Sequence, residues 1–425
     1  MSGESAMAIE KQTAFRWGWI SELSESEFST MVATFMGWTL DGMDVMVFSF
    51  VLPTLIATWH VTRGQAGLLG TSALVISSVG GWAAGLLADR WGRVRVLKLT
   101  ILWFASFTFL SGFTNSFNQL LIVRGLQGLG FGGEWAVGSV LIGETVRAQH
   151  RGKAVGVVQS GWAIGWALAA LSYAILFMVF SPELAWRVMF WIGILPALLV
   201  FYIQRHVHEP EIYEAKRQVR IAEGKSDFLQ IFGPKLWRIT FLTSSVALGV
   251  QGGYYAITTW LPLYLKTSRG LSVLDTSTYL FVVIFGSFAG YLTSAHLTDL
   301  LGRKKTLVLF AALSLLTVFV YTSVPIGNAT MLVLGFPLGF FASGSFSPIG
   351  AFFTELFPTS VRGAGQGFSY NLGRGIGALF PALVGYMSSR ISLAHAIAVF
   401  SVSAYALMTI GVIALPETQG QELRD

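Results

Sequence analysis

Five ionisable side chains fall inside stretches that are otherwise apolar: Asp41, Asp44, Arg124, Glu134 and Arg374. Asp41 and Asp44 lie in a run from Val32 to Thr58; as i and i+3 on a helix they share a face, and Gly42 leaves that face open to a close neighbour. Each carboxylate costs on the order of 2.5–3.5 kcal/mol at the centre of a membrane-spanning helix. A chain carries two within one turn when both face protein or water. The bland alternative, a helix end fraying into headgroups, conflicts with the roughly nine apolar residues before Asp41. Two carboxylates in a low-dielectric cavity repel each other when both are ionised, so one should hold a proton. Arginine stays charged and needs an anion. No metal, nucleophile–base or phosphate-loop pattern stands out, and the absence of cysteine rules out disulfides and thiolate metal sites. No enzymatic activity is expected, and no cofactor apart from a proton as coupling ion.

Such side chains need a membrane-embedded helical frame. Of 425 residues, 53% are hydrophobic and 12% charged, against roughly 25% charged in soluble domains. Apolar runs long enough to span occur at about 32–58, 66–88, 96–114, 117–143, 153–178, 186–204, 238–264, 277–298, 306–323, 329–354, 364–388 and 391–415. The fold class expected is an all-α polytopic membrane protein with twelve transmembrane helices. Gly81/Gly85 and Gly161/Gly165 supply small residues at the four-residue spacing that lets helices pack closely. With the N-terminus in the cytoplasm, 21 of the 28 Lys and Arg fall in inner segments and five in outer ones. That bias places both termini inside and accounts for the net charge of +6 without nucleic acid. The first 30 residues show no signal-peptide pattern.

Repetition divides the chain. Asp89-Arg90-Trp91-Gly92-Arg93 recurs as Asp299-Leu300-Leu301-Gly302-Arg303, and Glu144 with Arg151-Gly152 recurs as Glu355 with Arg362-Gly363, at offsets of 210 and 211 residues. Two motifs at one offset indicate parallel six-helix repeats. The expected layout is a cytoplasmic tail over 1–30, a six-helix bundle over 31–204, a charged cytoplasmic linker over 205–237, a second bundle over 238–415 and a tail over 416–425.

The stretch Gly85 to Arg93 closely resembles the loop motif of the major facilitator superfamily; its second copy has Ala295 where the first has Gly85. Arg124-x-x-x-Gly128-x-Gly130 resembles the superfamily's fourth-span signature, and Pro416-Glu417-Thr418-Gln-Gly420 the sequence after its last helix. Asp41-Gly42-Met43-Asp44 is similar to the first-helix motif of aromatic acid–proton symporters, whereas Arg124–Ser139, with Gly132-Gly133-Glu134-Trp135, looks more like the sialate and metabolite–proton symporters. Span five has Gly161-Trp-Ala-Ile-Gly165-Trp in place of the Gly-Pro motif of many antiporters. The resemblance implies two pseudo-symmetric six-helix bundles, alternating access and a monomer in the bacterial inner membrane, with a small organic anion and a proton as its partners.

Counting along the helices puts Asp44 about 18–24 Å from the cytoplasmic end, level with Arg124, while Glu134 and Arg374 come near the midplane. Arg124 favours the charged form of Asp44, leaving Asp41 to keep the proton, with Glu134 as a second proton carrier; alternatively Arg124–Asp44 only ties two spans together and Glu134 stays neutral. Every carboxylate of the first repeat lies on the other half from Arg374, so an incoming carboxylate is its natural partner, with Asn371 one turn away. Trp38, Trp135, Trp162, Tyr255 and Tyr370 would suit a flat ring near these charges. Asp89, Arg93, Glu144, Arg151, Asp299, Arg303, Glu355 and Arg362 read as a cytoplasmic gate. The leading expectation is proton-coupled import of a carboxylate such as an aromatic acid, sialate or monocarboxylate. An exporter or antiporter of drugs or metabolites and a non-transporting carboxylate receptor are the alternatives.

Overall fold

The computed structural model describes residues 17–209, 228–358 and 361–419, and among them every regular element is helical. The side chains of Asp89, Arg151, Asp299 and Arg362 lie outside the described residues, as does most of the expected linker. Nine spans are single helices: α1 (Glu25–Trp59), α2 (Arg63–Trp91), α3 (Arg93–Ser111), α4 (Phe117–Thr145), α5 (Ala148–Val179), and, after the sixth span, α8 (Trp237–Leu263), α9 (Val273–Leu301), α10 (Arg303–Ser323) and α15 (Leu393–Ala414). The sixth, tenth and eleventh spans are broken: α6 (Pro182–Trp191) with α7 (Pro196–His206), α11 (Asn328–Gly344) with α12 (Ser347–Leu356), and α13 (Arg362–Gly377) with α14 (Phe380–Met387). Apolarity does not announce these breaks. Each second piece carries a proline in its first turn, where the missing N–H costs nothing.

α1 begins seven residues before the expected Val32 because Ser24 caps it: Ser24 Oγ accepts from the Glu27 amide and Glu27 accepts from the Ser24 amide. Among the described residues nine helical segments are long and apolar enough to cross a membrane. The remaining three spans are α4, α8 and α13–α14, which carry Arg124, Gln127 and Glu134, then Gln251, then Asn371 and Arg374. Three of the four spans that hold the polar centre thus fall short of that combination of length and apolarity, while α1, with Asp41 and Asp44, meets it.

The repeat is visible in the packing. α1 lies on α5 and α2 on α4, as α8 lies on α13 and α9 on α11. Gly80 and Gly128 bring α2 and α4 to backbone contact, and Gly290 and Gly339 do the same for α9 and α11. The halves meet through α5 with α9, α2 with α13 and α14, and α1 with α8. Each half also turns from its second to its third span through a single glycine, Gly92 at φ 104° and Gly302 at φ 98°, a conformation closed to other residues.

Candidate functional site

The acidic face is set by the contact of α1 with α5. A Cβ on Gly42 would stand 2.8 Å from the Trp162 carbonyl oxygen, so the two backbones touch and Asp41 and Asp44 are turned away from lipid. Both are buried, Asp41 completely.

The two carboxylates then take different partners. Asp44 Oδ2 lies 3.8 Å from Arg124 Nη1 and accepts from the Gln127 amide, which also reaches Thr108 Oγ1 at 2.8 Å. The expected Asp44–Arg124 level is therefore the observed one. Asp41 faces the Glu134 carboxyl on α4 within interaction range, yet neither of its oxygens has an aligned hydrogen-bond partner among the described residues. Asp44 still acts on Asp41, but Glu134 is its stronger acidic neighbour. The carboxylate pair is thus Asp41–Glu134, between helices, in place of the one-turn pair expected from α1 alone.

Arg374 on α13 is 2% exposed. Its guanidinium lies over Phe131 at 5.3 Å and over Tyr370 at 5.2 Å; Nε is 3.4 Å from Gln251 Oε1, and Tyr255 is in hydrogen-bonding reach. Nη1 has no partner among the described residues. Asp41 acts on Arg374 across the interface, which corrects the expectation that the first-half carboxylates stand apart from it: the halves close tightly enough to bring a charge from each within electrostatic reach.

The aromatic residues gather beside this centre. Trp38 packs, with tilted rings, between Trp135 at 4.2 Å and Trp162 at 4.9 Å, and Trp162 Nε1 donates to Tyr254 Oη at 2.8 Å, joining α5 to α8. Trp38 and Trp135 line a small cavity with Glu134. Asn371 does not join the site: its amide donates to Gly367 of its own helix at 3.0 Å and its oxygen faces Gly81 on α2. A second cavity of about 20 Å³, bounded by Asp44, Arg124, Gln127, Phe131, Tyr255 and Thr258, holds roughly one water. That space is too small for a metabolite.

Of the expected gate, Arg93 Nε meets Glu144 at 3.4 Å and Arg303 Nη2 meets Glu355 at 3.0 Å. Each pair stays within its own half. Two further carboxylates stand beside these pairs, Glu209, which sequence reasoning missed, and Glu417, which it placed only in the motif after the last helix: Glu209 accepts from the amides of Arg93 and Val94 at 2.8 and 3.0 Å, and Glu417 from those of Arg303 and Lys304 at 3.0 and 3.2 Å. Both cap the start of a third span beside its positive-φ glycine. Burial works against the Glu417 charge, but the amides of Thr418, Gln419, Lys304 and Arg303 outweigh it and hold the carboxyl below its usual range. Gln127, Gln251 and Phe131 were also missed; a scan for amides as well as charges within apolar runs would have found the two glutamines.

Comparison with known proteins agrees with this architecture. Residues 34–294 match the profile described as Major Facilitator Superfamily, and residues 207–425 that described as Sugar (and other) transporter. A protein of Cupriavidus pinatubonensis named "Probable 4-methylmuconolactone transporter" is 44% identical over 404 residues, covering 95% of this chain and 94% of that one. The "Cis,cis-muconate transport protein" of Acinetobacter baylyi is 30% identical, covering 91% and 93%. Among solved structures, the proton:xylose symporter XylE superimposes with a TM-score of 0.72 at 19% identity, covering 94% of this chain and 98% of its own, a likeness of fold.

Proposed function

The chain belongs to the major facilitator superfamily, and on that premise we propose that it is a proton-coupled symporter importing a small organic carboxylate across the bacterial inner membrane, with both termini cytoplasmic. One observation carries the reading: Arg374, fully buried in the second half, keeps an unpartnered Nη1 and feels Asp41 of the first half. An arginine so placed holds either an internal carboxylate or a substrate carboxylate. With the site open to the outside, a proton on the Asp41–Glu134 pair removes the internal competitor, and the substrate docks on Arg374 with Tyr255 and Tyr370 beside it. Cancelling both charges lowers the cost of closing the cavity, and the halves rock to face the cytoplasm. There the proton leaves for the higher pH, Asp41 reclaims Arg374, and the anion is displaced. The relatives named for muconate and a methylmuconolactone support an organic acid as cargo.

The test is transport in liposomes. Asp41→Asn fixes the protonated form, so substrate should still exchange by counterflow while a pH gradient no longer drives accumulation. Normal gradient-driven accumulation in Asp41→Asn and Glu134→Gln alike would overturn the coupling. Uptake driven by an acidic interior would instead mark antiport. Arg374→Ala should abolish binding, and Arg374→Lys should weaken it by losing the planar fork.

A further inference from the structure

We propose that this site binds a dianion, with Arg124 as a second anion-holding arm opposite Arg374, so that the preferred cargo is a short dicarboxylate. The inference rests on the reading of Arg374 given above and extends it to the other end of the substrate. Arg124 is 3% exposed, and its Nε and Nη1 have no hydrogen-bond partner among the described residues. Asp44, at 3.8 Å, is beyond hydrogen-bond length and is engaged by Gln127. The guanidinium also lies over the Phe48 ring at 4.5 Å. A buried cation with donors left over is costly unless something supplies the acceptors.

Two side chains that wall the cavity beside Arg124, Phe131 and Tyr255, also pack on Arg374. Arg124 and Phe131 are two turns apart on α4, about 10 Å along its axis, the scale of a short dicarboxylate held at both ends. The arms come from different halves, Arg124 from the first and Arg374 from the second, so a dianion bridging them favours closure, whereas a monoanion reaches only one. Each arm is also attended by one carboxylate of α1, Asp44 for Arg124 and Asp41 for Arg374, which gives both a counter-charge when the site is empty of substrate.

The experiment measures dissociation constants by calorimetry on the full chain in lipid nanodiscs, with matched probes: cis,cis-muconate against sorbate, the same six-carbon diene with one carboxylate fewer, and adipate against hexanoate. In the wild type the dicarboxylate of each pair should bind about 30-fold tighter or more, the scale for a buried, hydrogen-bonded charge pair. Because Arg124→Gln alone could unfold the protein by stranding Asp44, the double variant Asp44→Asn/Arg124→Gln is used, which removes both charges together. Its dicarboxylate preference should collapse to within about threefold of unity. No preference in the wild type, or a preference that survives in the double variant, overturns the proposal. Arg374→Ala separates the two readings: loss of all four probes upholds Arg374 as the primary arm, whereas unchanged binding of the monocarboxylates sinks that reading itself.

Discussion

Replacing Asp44 by asparagine tests whether α1 and α4 are tied by charge. The side chains keep their shape, and the new carboxamide can still offer an oxygen to Gln127. What is lost is the attraction to Arg124 at 3.8 Å, worth about 4 kcal/mol at an effective dielectric of 20. The guanidinium stays behind, 3% exposed and without its counter-charge, and stranding one member of a buried pair costs about 3–5 kcal/mol. Thermal unfolding in nanodiscs should therefore fall by at least about 6 °C, taking the smaller ~2 °C per kcal/mol of large chains. The double variant Asp44→Asn/Arg124→Gln leaves no lone charge and should recover more than half of that loss, because directly paired sites are not additive. Transport should suffer in counterflow as well as in gradient-driven uptake, unlike Asp41→Asn, which spares exchange. A melting temperature within a degree of wild type, or a double variant that loses the sum of the two singles, would refute the argument.

Two further outcomes follow from contacts outside the charge cluster. Trp162→Phe keeps a ring against Trp38 but removes the hydrogen bond to Tyr254 that joins the halves; losing about 0.5–1.5 kcal/mol should open the closed state roughly two- to tenfold by spin-label distances, and Tyr254→Phe should add nothing on top. Glu417→Gln should show its effect through pH: because the folded carboxyl is held low, its stabilisation is complete above the ordinary value of 4.5 and fades as the pH falls through the depressed one. The gap in melting temperature between wild type and variant should therefore be present at neutral pH and close in acid; a gap that is constant down to strong acid would remove Glu417 from that role.

By itself the sequence determined the membrane class, the twelve spans, the two-fold repetition and the short list of charges buried within the spans. All of these follow from local rules: a run of about 20 apolar residues crosses a bilayer, Lys and Arg orient it, and a charge within such a run is expensive enough to be conspicuous. Asp41, Asp44, Arg124, Glu134 and Arg374 were legible for that reason. Which charge meets which was not. Counting residues gives depth along a helix, and depth correctly put Arg124 level with Asp44. It gives neither the rotation of a helix about its axis nor the distance between two halves. Only the contact of Gly42 with Trp162 and the packing of α1 on α4 and α8 turned Asp41 toward Glu134 and brought it within reach of Arg374. The same limit explains Asn371, one turn from Arg374 yet turned toward Gly81, and the capping carboxylates Glu209 and Glu417, each more than 110 residues from the third-span amides it caps. An uncharged glutamine is quieter still: Gln127 and Gln251 cost an apolar helix less than a charge does, so a search for charges passes over them, and only their tertiary partners show what they do. Spans and charges are written locally, but pairings belong to the closed tertiary structure, because an interaction between helices depends on rotations and separations that no single helix contains.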